Sequence, residues 1–498
     1  MPADLYWRIP STFDIEKLVQ EDPPSFLGKK KSNLDNFYYL IDHLFHVYLK
    51  DDLSKSLGFV ELFAYKLQEN TAHNYKDYLS YLIKHNLIER APWRYKKGDV
   101  QRAIKGKAFG YRLYLPYENN QDIKLIPIVG EVYKKPRKTL IKQWSNDQRL
   151  LYKKHPVLSQ WFEDLEIDLA GCRKWIDSHP EYQLSVGAIQ GNAIGMPQKP
   201  LKRLRALYAI DRIQRKDFHF SIDDKGGRFH SNLTNFKNEL RNYLTWKGHK
   251  VVSVDIRNSQ PLLSLMILDS KWYLESSEWL TYRQFPSIPN PYIKQSTVTN
   301  TIESPSQMLS SSVTYIMIEE FLQLIENQDI KKYKEIVNSG EFYKRLHEEV
   351  FKDNKPFDKA EVKEMTFQIL YSHKKFFHQD GDWMDPKTKK RPNALPKRLF
   401  KKAFPSVFKI LEDYKDQDNR YLSLLLQQIE STLILKHIVP RIASERPDLP
   451  IFTIHDSVAT TVGNEEYIER VMREEIERLT GLQPKFGIEY WDPNFNQH

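Results

Sequence analysis

Two segments far apart in the chain share one pattern: Val251-Val-Ser-Val-Asp-Ile-Arg-Asn-Ser-Gln-Pro261 and Ile451-Phe-Thr-Ile-His-Asp-Ser-Val458. In each of them a run of β-branched and apolar residues leads into an aspartate, Asp255 or Asp456. Such runs are typical of strands, and a strand that ends at an aspartate places a carboxylate at the edge of a sheet. A single aspartate there usually caps a turn. Two of them, with a lysine-rich helix between them in the chain, indicate metal-assisted phosphoryl chemistry.

The composition is typical of a globular protein in a reducing compartment. The chain has 498 residues, 40% hydrophobic and 13% aromatic, which is enough for about two to four domains with buried cores. Its single cysteine, Cys172, excludes an internal disulfide framework and a cysteine-based zinc site. The sequence shows no signal peptide and no apolar run near the ~18 residues of a membrane span. We therefore expect a cytoplasmic protein that does not enter a membrane.

Basic residues are concentrated in one part of the chain. The net charge is +10, and residues 90–142 alone contain 14 Lys or Arg against 4 Asp or Glu. Such a concentrated field attracts polyanions. Aromatic residues that suit base stacking are interleaved with these charges, namely Trp93, Tyr95, Phe109, Tyr111 and Tyr114. A solvated charged face is the alternative. Because no basic amphipathic helix accompanies the charges, we favour nucleic acid over a membrane surface.

The N-terminal region predicts helices followed by a basic hairpin. Apolar residues spaced by three and four predict helices over Asn36–Phe45 and Tyr75–Ile83. Residues 93–115 then predict two strands around a basic turn. This order suggests a winged-helix module, and an ordinary structural lobe fits it about as well.

A basic linker, Tyr133–Lys138, predicts a domain boundary near residue 140. Residues 1–140 would form a basic nucleic-acid-binding domain, and residues 141–220 a mostly helical region. The motifs that indicate chemistry lie in residues 221–498. Within that part, residues 285–312 are rich in Ser, Thr, Pro and Asn and predict a mobile surface loop.

A predicted helix over Asp358–Ser372 has an unusual face. Lys359, Lys363, Phe367 and Tyr371 recur every four residues and so follow one side of the helix. Two cations beside two rings suit a nucleoside triphosphate, with ammonium groups on its phosphates and rings against its base. Taken alone, the pattern fits a solvated lysine face with buried aromatic residues even better.

The order of these motifs resembles the family A nucleotidyltransferases, which include bacterial DNA polymerase I and the single-subunit phage and mitochondrial RNA polymerases. The resemblance covers roughly residues 220–498. The matching elements are the Gly226–Thr234 segment with Arg228, the strand ending at Asp255, the lysine-rich helix, the hairpin of His455 and Asp456, and a C-terminal helix and strand over Glu466–Leu479 and Pro484–Tyr490. The short chain resembles compact members of the mobile-element type.

This resemblance implies an α+β fold of the right-hand polymerase type. Residues 221–498 would form a palm with an antiparallel sheet and helical fingers, and residues 141–220 a helical, thumb-like region. The N-terminal domain, residues 1–140, would be helical, with a winged helix as one form.

The family also implies a role for each matching residue. Asp255 and Asp456 would hold two Mg²⁺ ions, with Mn²⁺ as an alternative, and Lys363 would contact the triphosphate in the catalytic step. The remaining roles are nucleotide binding by Lys359, Phe367, Tyr371 and Gln260, and primer or template binding by Arg228, His455 and Gln428. For Gln428, on the predicted helix Leu424–Ile434, a packing role is at least as good an interpretation.

Departures from the family pattern leave the sugar preference open. Without a gap, Gln260 falls where the DNA polymerases have a Glu that blocks a ribose 2′-hydroxyl. Ser457 after Asp456 resembles the RNA polymerases, whereas Phe367 resembles the DNA enzymes. Ser372 replaces the Gly that usually follows the Tyr. An enzyme that uses both sugars is compatible with this mixture.

No proofreading site is predicted. The one carboxylate cluster ahead of the palm, Asp164–Asp168, is expected on a helix surface together with Trp161 and Phe162. The leading hypothesis is a DNA polymerase without exonuclease that replicates a mobile element on primer-template or single-stranded DNA. Primase activity and a small single-strand-binding partner protein remain open. The alternatives are a single-subunit RNA polymerase and a non-catalytic DNA-binding replication initiator.

Overall fold

A computed structural model provides the structure of the chain. It describes residues 6–27, 34–50, 59–62, 64, 67, 74–92, 108–113, 122–131, 133–134, 151, 153, 155–180, 182, 198–273, 276–293, 321–352, 356–373 and 394–495. The predicted α+β class is confirmed, because helices and antiparallel sheets alternate through these residues.

Short strands and several helices are present among the described residues of the N-terminal part. The strands are β1 (Tyr6–Pro10), β2 (Val60–Leu62), β3 (Ile88–Arg90), β4 (Phe109–Leu113) and β5 (Ile123–Pro127). The helices are Ile15–Glu21, Asp35–Lys50 and Tyr75–Lys84. Strand β1 pairs with β5, and β4 lies between β2 and β3, all antiparallel.

Both predicted N-terminal helices are confirmed, and the hairpin is confirmed in part. Strand β4 lies inside the predicted hairpin, but its partner β3 begins at Ile88, ahead of Trp93. The chain turns early because the helix ends at Lys84 and Asn86 adopts a left-handed φ of 55°. Residues 93–107 and 114–121, with Trp93, Tyr95 and Tyr114, lie outside the described residues, so the winged helix stays a prediction.

The second part of the chain is built around a six-stranded sheet. Its strands are β6 (Leu165–Ile167), β9 (Leu244–Trp246), β10 (His249–Ile256), β11 (Phe452–Ile454), β12 (Ser457–Thr461) and β13 (Phe486–Trp491), and β7 (Ser221–Ile222) and β8 (Phe229–His230) form a separate two-stranded sheet. The α-helices are Leu169–Ser178, Gln198–Gln214, Asn238–Arg241, Ser259–Ser264, Gln328–Asn338, Phe342–Leu346, Lys359–Tyr371, Leu395–Ala403, Pro405–Asp413, Tyr421–Thr432, Val439–Glu445 and Glu465–Thr480. Two π-helical segments are His347–Phe351 and Leu433–Ile438.

Strand β10 is the centre of this sheet. The order is β11-β12-β10-β9-β6, and β13 pairs with β10 along its other edge. Val251, Val252 and Val254 are fully buried, so the strand is covered on both faces. A nearly continuous apolar run is expected of such a strand. The strand predicted from the sequence is therefore the middle strand of the sheet.

One prediction of local structure is wrong, and a second holds only in part. Residues 164–168 are expected on a helix, but β6 occupies residues 165–167 because it pairs with β9, and Phe162 is buried against Phe218 and Phe220. Residues 285–312 are expected to form a surface loop, but Phe285 and Ile288 are buried. Apolar residues among the Ser and Pro residues anchor residues 285–293, and residues 294–320 lie outside the described part.

The predicted helical character of residues 141–220 is confirmed only in part, since strand β6 precedes the helices Leu169–Ser178 and Gln198–Gln214 among the described residues of this region. Among the helices of the described residues, none is both long and apolar enough to cross a lipid bilayer.

Candidate active site

The structure brings Asp255 and Asp456 together at the same end of two neighbouring strands of the sheet. Asp255 lies near the end of β10 and is paired with Ser457, the residue that follows Asp456. The backbone N–H of Ile256 donates to the carbonyl oxygen of Asp456 at 3.3 Å. Both aspartate side chains are half-buried. The two segments that look alike in the sequence thus meet as neighbouring strand ends.

The surroundings of the Asp255 side chain disfavour its ionised form. Burial, together with the negative charges of Asp456 and Glu489, raises the pKa of Asp255 to about 6, although Arg257 acts in the opposite direction. Glu489 lies on β13, opposite Ser253 and two residues along from Gly487, the partner of Asp255. A cation bound between the carboxylates would relieve this repulsion.

The Asp255 and Asp456 pair fits a divalent cation by the chemistry of its donors. Carboxylate oxygens are the ligands that Mg²⁺ prefers, and Mg²⁺ commonly takes one or two carboxylates with water and substrate phosphates completing its shell. Within the described residues, no group of three or more His, Cys, Asp or Glu side chains could hold a metal by itself. Ions at this site would therefore depend on a second ligand such as a triphosphate.

His455 forms the turn between β11 and β12. Its φ of 54° is left-handed, and this conformation reverses the chain just before Asp456. Burial and the charge of Arg228 lower the pKa of His455, so a neutral ring is favoured. Its ring lies edge-on to that of His230, with centroids 5.9 Å apart. His455 therefore presents a neutral imidazole beside the carboxylates.

A tight turn positions Arg228. The carboxylate of Asp223 accepts hydrogen bonds from the backbone N–H groups of Gly226, at 2.5 Å, and Arg228, at 3.0 Å. Gly227 has a left-handed φ of 67°, which glycine adopts without strain. The Ser431 hydroxyl donates to the carbonyl of Gly226 at 2.8 Å. The turn is thereby fixed against the Tyr421–Thr432 helix.

Four side chains from distant parts of the chain form one hydrogen-bonded network. Arg228 donates to Glu430 Oε1 from Nε at 2.8 Å, and its Nη2 lies 2.7 Å from the same oxygen. Gln260 Nε2 donates to Glu430 Oε2 at 2.5 Å, and the Tyr371 hydroxyl donates to Gln260 Oε1 at 2.8 Å. We call these residues the Arg-Glu-Gln-Tyr network. It joins the predicted primer-binding residue to two predicted nucleotide-binding residues.

Three of the four residues on the predicted face of the Lys359–Tyr371 helix, here called the stripe helix, lie at the surface. Lys359 and Lys363 are exposed, and Phe367 is 37% exposed. Lys363 Nζ lies 5.7 Å from the Phe367 ring centroid, and the Phe367 and Tyr371 centroids are 5.8 Å apart. The alternative interpretation, a solvated lysine face with buried aromatic residues, expects Phe367 to be buried. Its ring is instead exposed. Two cations and an open ring therefore lead towards Tyr371.

Gln428 supports the Asp223–Arg228 turn from the other side. Its Nε2 donates to the carbonyl of Lys225 at 2.6 Å and to the Ser287 hydroxyl at 3.1 Å, and Gln428 is half-buried. A cavity of about 330 Å³ lies beside it, lined among others by Lys225, Phe285 and Lys436. Both interpretations of Gln428, turn packing and duplex contact, are compatible with this position.

Two residues near the site are absent from the sequence-based prediction. Glu430 is 1% exposed, and it follows Leu426 by four residues and precedes Leu433 by three, so apolar spacing already places it on a buried face. Tyr343 is the other, since burial and the charge of Asp456 raise its pKa to about 12. Glu430 could have been identified from the sequence as a single charged residue on an apolar helical face. No such pattern in the sequence marks Tyr343.

Similarity to known proteins is low. No protein-family model matches the chain, and no curated protein matches it. Among solved structures, the POL domain of Pol1 from M. smegmatis, in complex with DNA primer-template and dNTP, is similar with 12% sequence identity and a TM-score of 0.39. The similarity covers 68% of this chain and 69% of that one. Values this low do not establish a shared fold.

Proposed function

We propose that this protein is a nucleotidyltransferase that copies a nucleic acid template, as a DNA polymerase of the family A type without a proofreading exonuclease. The observation that supports it is the meeting of Asp255 and Asp456 at adjacent strand ends, with the Arg-Glu-Gln-Tyr network and the stripe helix leading to them. A carboxylate pair and a cationic helix face suit two-metal nucleotidyl transfer, and an exposed ring suits stacking on a base.

Each part of the site has a task in this proposal. Asp255 and Asp456 hold two Mg²⁺ ions, or Mn²⁺, which when bound would activate the primer 3′-hydroxyl and neutralise charge on the leaving pyrophosphate. Lys363 and Lys359 bind the triphosphate, because ammonium groups on an exposed helix face can follow its phosphates. Phe367 offers its open ring to the base, since aromatic stacking tolerates any base.

The other site residues would position the primer, the template and the sugar. Arg228 faces the primer duplex, His455 the primer end, and Gln428 the template side of the same duplex. Tyr371 and Gln260 form the wall against the sugar of the incoming nucleotide. The sugar preference, primase activity, a role in a mobile element and a single-strand-binding partner protein are parts of this proposal that need separate experiments.

The test is extension of a labelled primer on single-stranded DNA with Mg²⁺, with dNTPs and NTPs compared. Template-matched extension by the wild type, abolished in Asp255→Ala and Asp456→Ala, is the expected result. Asp448→Ala serves as the control, because the Asp448 side chain is 81% exposed. NTP-only extension would assign the chain to the RNA polymerase alternative. Tight DNA binding with no extension by any nucleotide would overturn the proposal in favour of a non-catalytic initiator.

A further inference from the structure

Glu430 is a buried charge whose partners all belong to the candidate site. It is 1% exposed, yet its carboxylate meets Arg228 on one oxygen and Gln260 on the other. A buried carboxylate is tolerated only where hydrogen bonds and charge replace its hydration. Here the replacement comes from one predicted primer-binding residue and one predicted nucleotide-binding residue.

The chemistry of Glu430 determines which way the Gln260 amide points. An ionised carboxylate can only accept, so Gln260 must turn its NH₂ group towards Glu430. The amide oxygen then faces the Tyr371 hydroxyl, which must donate to it. With no ionised acceptor at residue 430, both amide orientations become possible and the Tyr371 bond loses its direction. The order of donors and acceptors therefore runs from Glu430 outwards.

The ionised form of Glu430 prevails in the usual range for nucleotidyl transfer. Burial and the charge of Asp456 raise the pKa of Glu430 to about 7, while Arg228 and the bond from Gln260 oppose this shift. At pH 8 the carboxylate is therefore mostly ionised. The network is then complete.

We propose that Glu430 is a positioning residue for sugar selection, which acts by locking the Gln260 amide and, through it, the Tyr371 ring. The inference rests on the proposed function, in which these two side chains form the wall against the sugar. Gln260 is 9% exposed and bonded at both ends, so it cannot swing away to admit a 2′-hydroxyl. Side chains that are held in place should discriminate between deoxyribose and ribose better than side chains that can move aside.

The first test measures kcat/KM for a dNTP and for the matching NTP at pH 8 in the wild type and in Glu430→Gln. The ratio of the two values should fall about tenfold in the variant, as expected for the loss of one hydrogen bond. Tyr371→Phe should lower the same ratio, and the double variant should lower it no further. The control is Glu466→Gln, the same substitution at an exposed helix position.

A charge exchange tests the direction of the bonds without any use of polymerase activity. Gln260→Glu alone would set two carboxylates against each other and lower the melting temperature (Tm). Combining it with Glu430→Gln restores a donor facing an acceptor and keeps an acceptor for Tyr371, so at least half of the lost Tm should return. Recovery of Tm together with recovery of the sugar ratio supports the inference.

Two results would overturn the inference. One is an unchanged sugar ratio in Glu430→Gln when the wild type extends primers. The other is a doubly substituted protein that is no more stable than Gln260→Glu alone. Absence of all extension in the wild type would instead contradict the proposed function, and the Tm cycle would still decide whether Glu430 orients Gln260.

Discussion

Asp255 keeps its place at the end of β10 because the residue opposite it on β13 has no side chain. A Cβ at Gly487 would lie 2.6 Å from Asp255 Oδ1, closer than real Cβ contacts come. The carboxylate therefore occupies space that only glycine leaves free. At the same scale, Glu430 shows that a buried charge can be kept for the orientation it imposes rather than for stability.

Gly487→Ala should push the Asp255 carboxylate aside. A displacement of about 1 Å at a reacting centre can cost ~10²-fold in rate, whereas overpacking costs only about 1–3 kcal/mol of stability. We expect kcat/KM for primer extension to fall by that factor with a modest loss of Tm. Ile488→Ala, at the exposed neighbour on the same strand, is the control. Equal activity of both variants would show that the position of Asp255 is not critical.

The stability difference between the wild type and Glu430→Gln should depend on pH. The folded-state pKa of Glu430, about 7, lies above the ordinary value of 4.5, so the folded protein binds more protons between these values. The wild type therefore loses stability relative to the variant as pH rises from 4.5 to 7. The charged groups around Glu430 are Arg228 and Asp456, and the nearby Tyr371 hydroxyl is neutral because burial and Glu430 raise its pKa.

We expect the Tm of the variant minus the Tm of the wild type to be larger at pH 8 than at pH 5. Both proteins are melted in EDTA. The same comparison with Glu466→Gln should show no such trend. A constant difference at both pH values would mean that Glu430 keeps its charge throughout this range.

The position of the stripe helix is set at its C-terminal end by a buried charge cluster. Lys415 Nζ donates to the carbonyl of Ile369 at 2.9 Å and to Glu412 at 2.8 Å. Lys397 Nζ lies 3.0 Å from the same carboxylate, and both lysines are buried. Burial lowers the pKa of Lys415 to about 8. Positive charge at a helix C-terminus stabilises its free carbonyls, so this cluster holds the end that presents Tyr371.

Lys415→Met should loosen that end of the helix while keeping most of the buried volume. We expect KM for the incoming nucleotide to rise about tenfold, with a smaller change in kcat, because the rings move while the carboxylates stay in place. Lys409→Met, an exposed lysine on the preceding helix, is the matched control. A fall in kcat at unchanged KM would show that the cluster acts on the carboxylates instead.

Across the whole molecule, one buried arginine joins the N-terminal part to the rest. Arg8 on β1 is 4% exposed, and its Nη2 lies 3.2 Å from Asp217 and its Nε 3.6 Å from Asp211. Both aspartates lie at the end of the Gln198–Gln214 helix or just beyond it. A buried ion pair restricts orientation more than it stabilises. This pair is therefore one of the contacts that fix the N-terminal part on the sheet-containing part, together with the ion pair of Arg173 and Asp122.

Arg8→Met should weaken that attachment, since it leaves part of the charge of two aspartates uncompensated. The cost should be about 3 kcal/mol, seen as a lower Tm or a separate early transition in calorimetry. Primer extension at low temperature should keep its kcat, because Arg8 lies outside the candidate site. Arg420→Met, at an exposed arginine, should melt as the wild type does. Unchanged melting of Arg8→Met would mean that the other contacts, such as the ion pair of Arg173 and Asp122, are enough to join the two parts.

Much of the local structure was determined by the sequence itself. The valine-rich run before Asp255 forms β10, and the stripe helix begins at Lys359, where Asp358 caps it by accepting from the Glu361 N–H at 2.8 Å. Period and capping are local properties, because each depends on residues a few positions apart. For the same reason the four-residue spacing predicted that Lys359, Lys363, Phe367 and Tyr371 follow one side of the helix, whereas it favoured buried rings and so did not predict the exposure of Phe367.

Tertiary structure alone decided which of these elements meet. Arg228 and Glu430 are 202 residues apart in the chain, and no local pattern links a turn arginine to a helix glutamate. Pairing with β9 made a strand of residues predicted as helix, and burial anchored part of a predicted loop. These outcomes depend on long-range packing, whose free energy is shared among many contacts and leaves no period in the sequence.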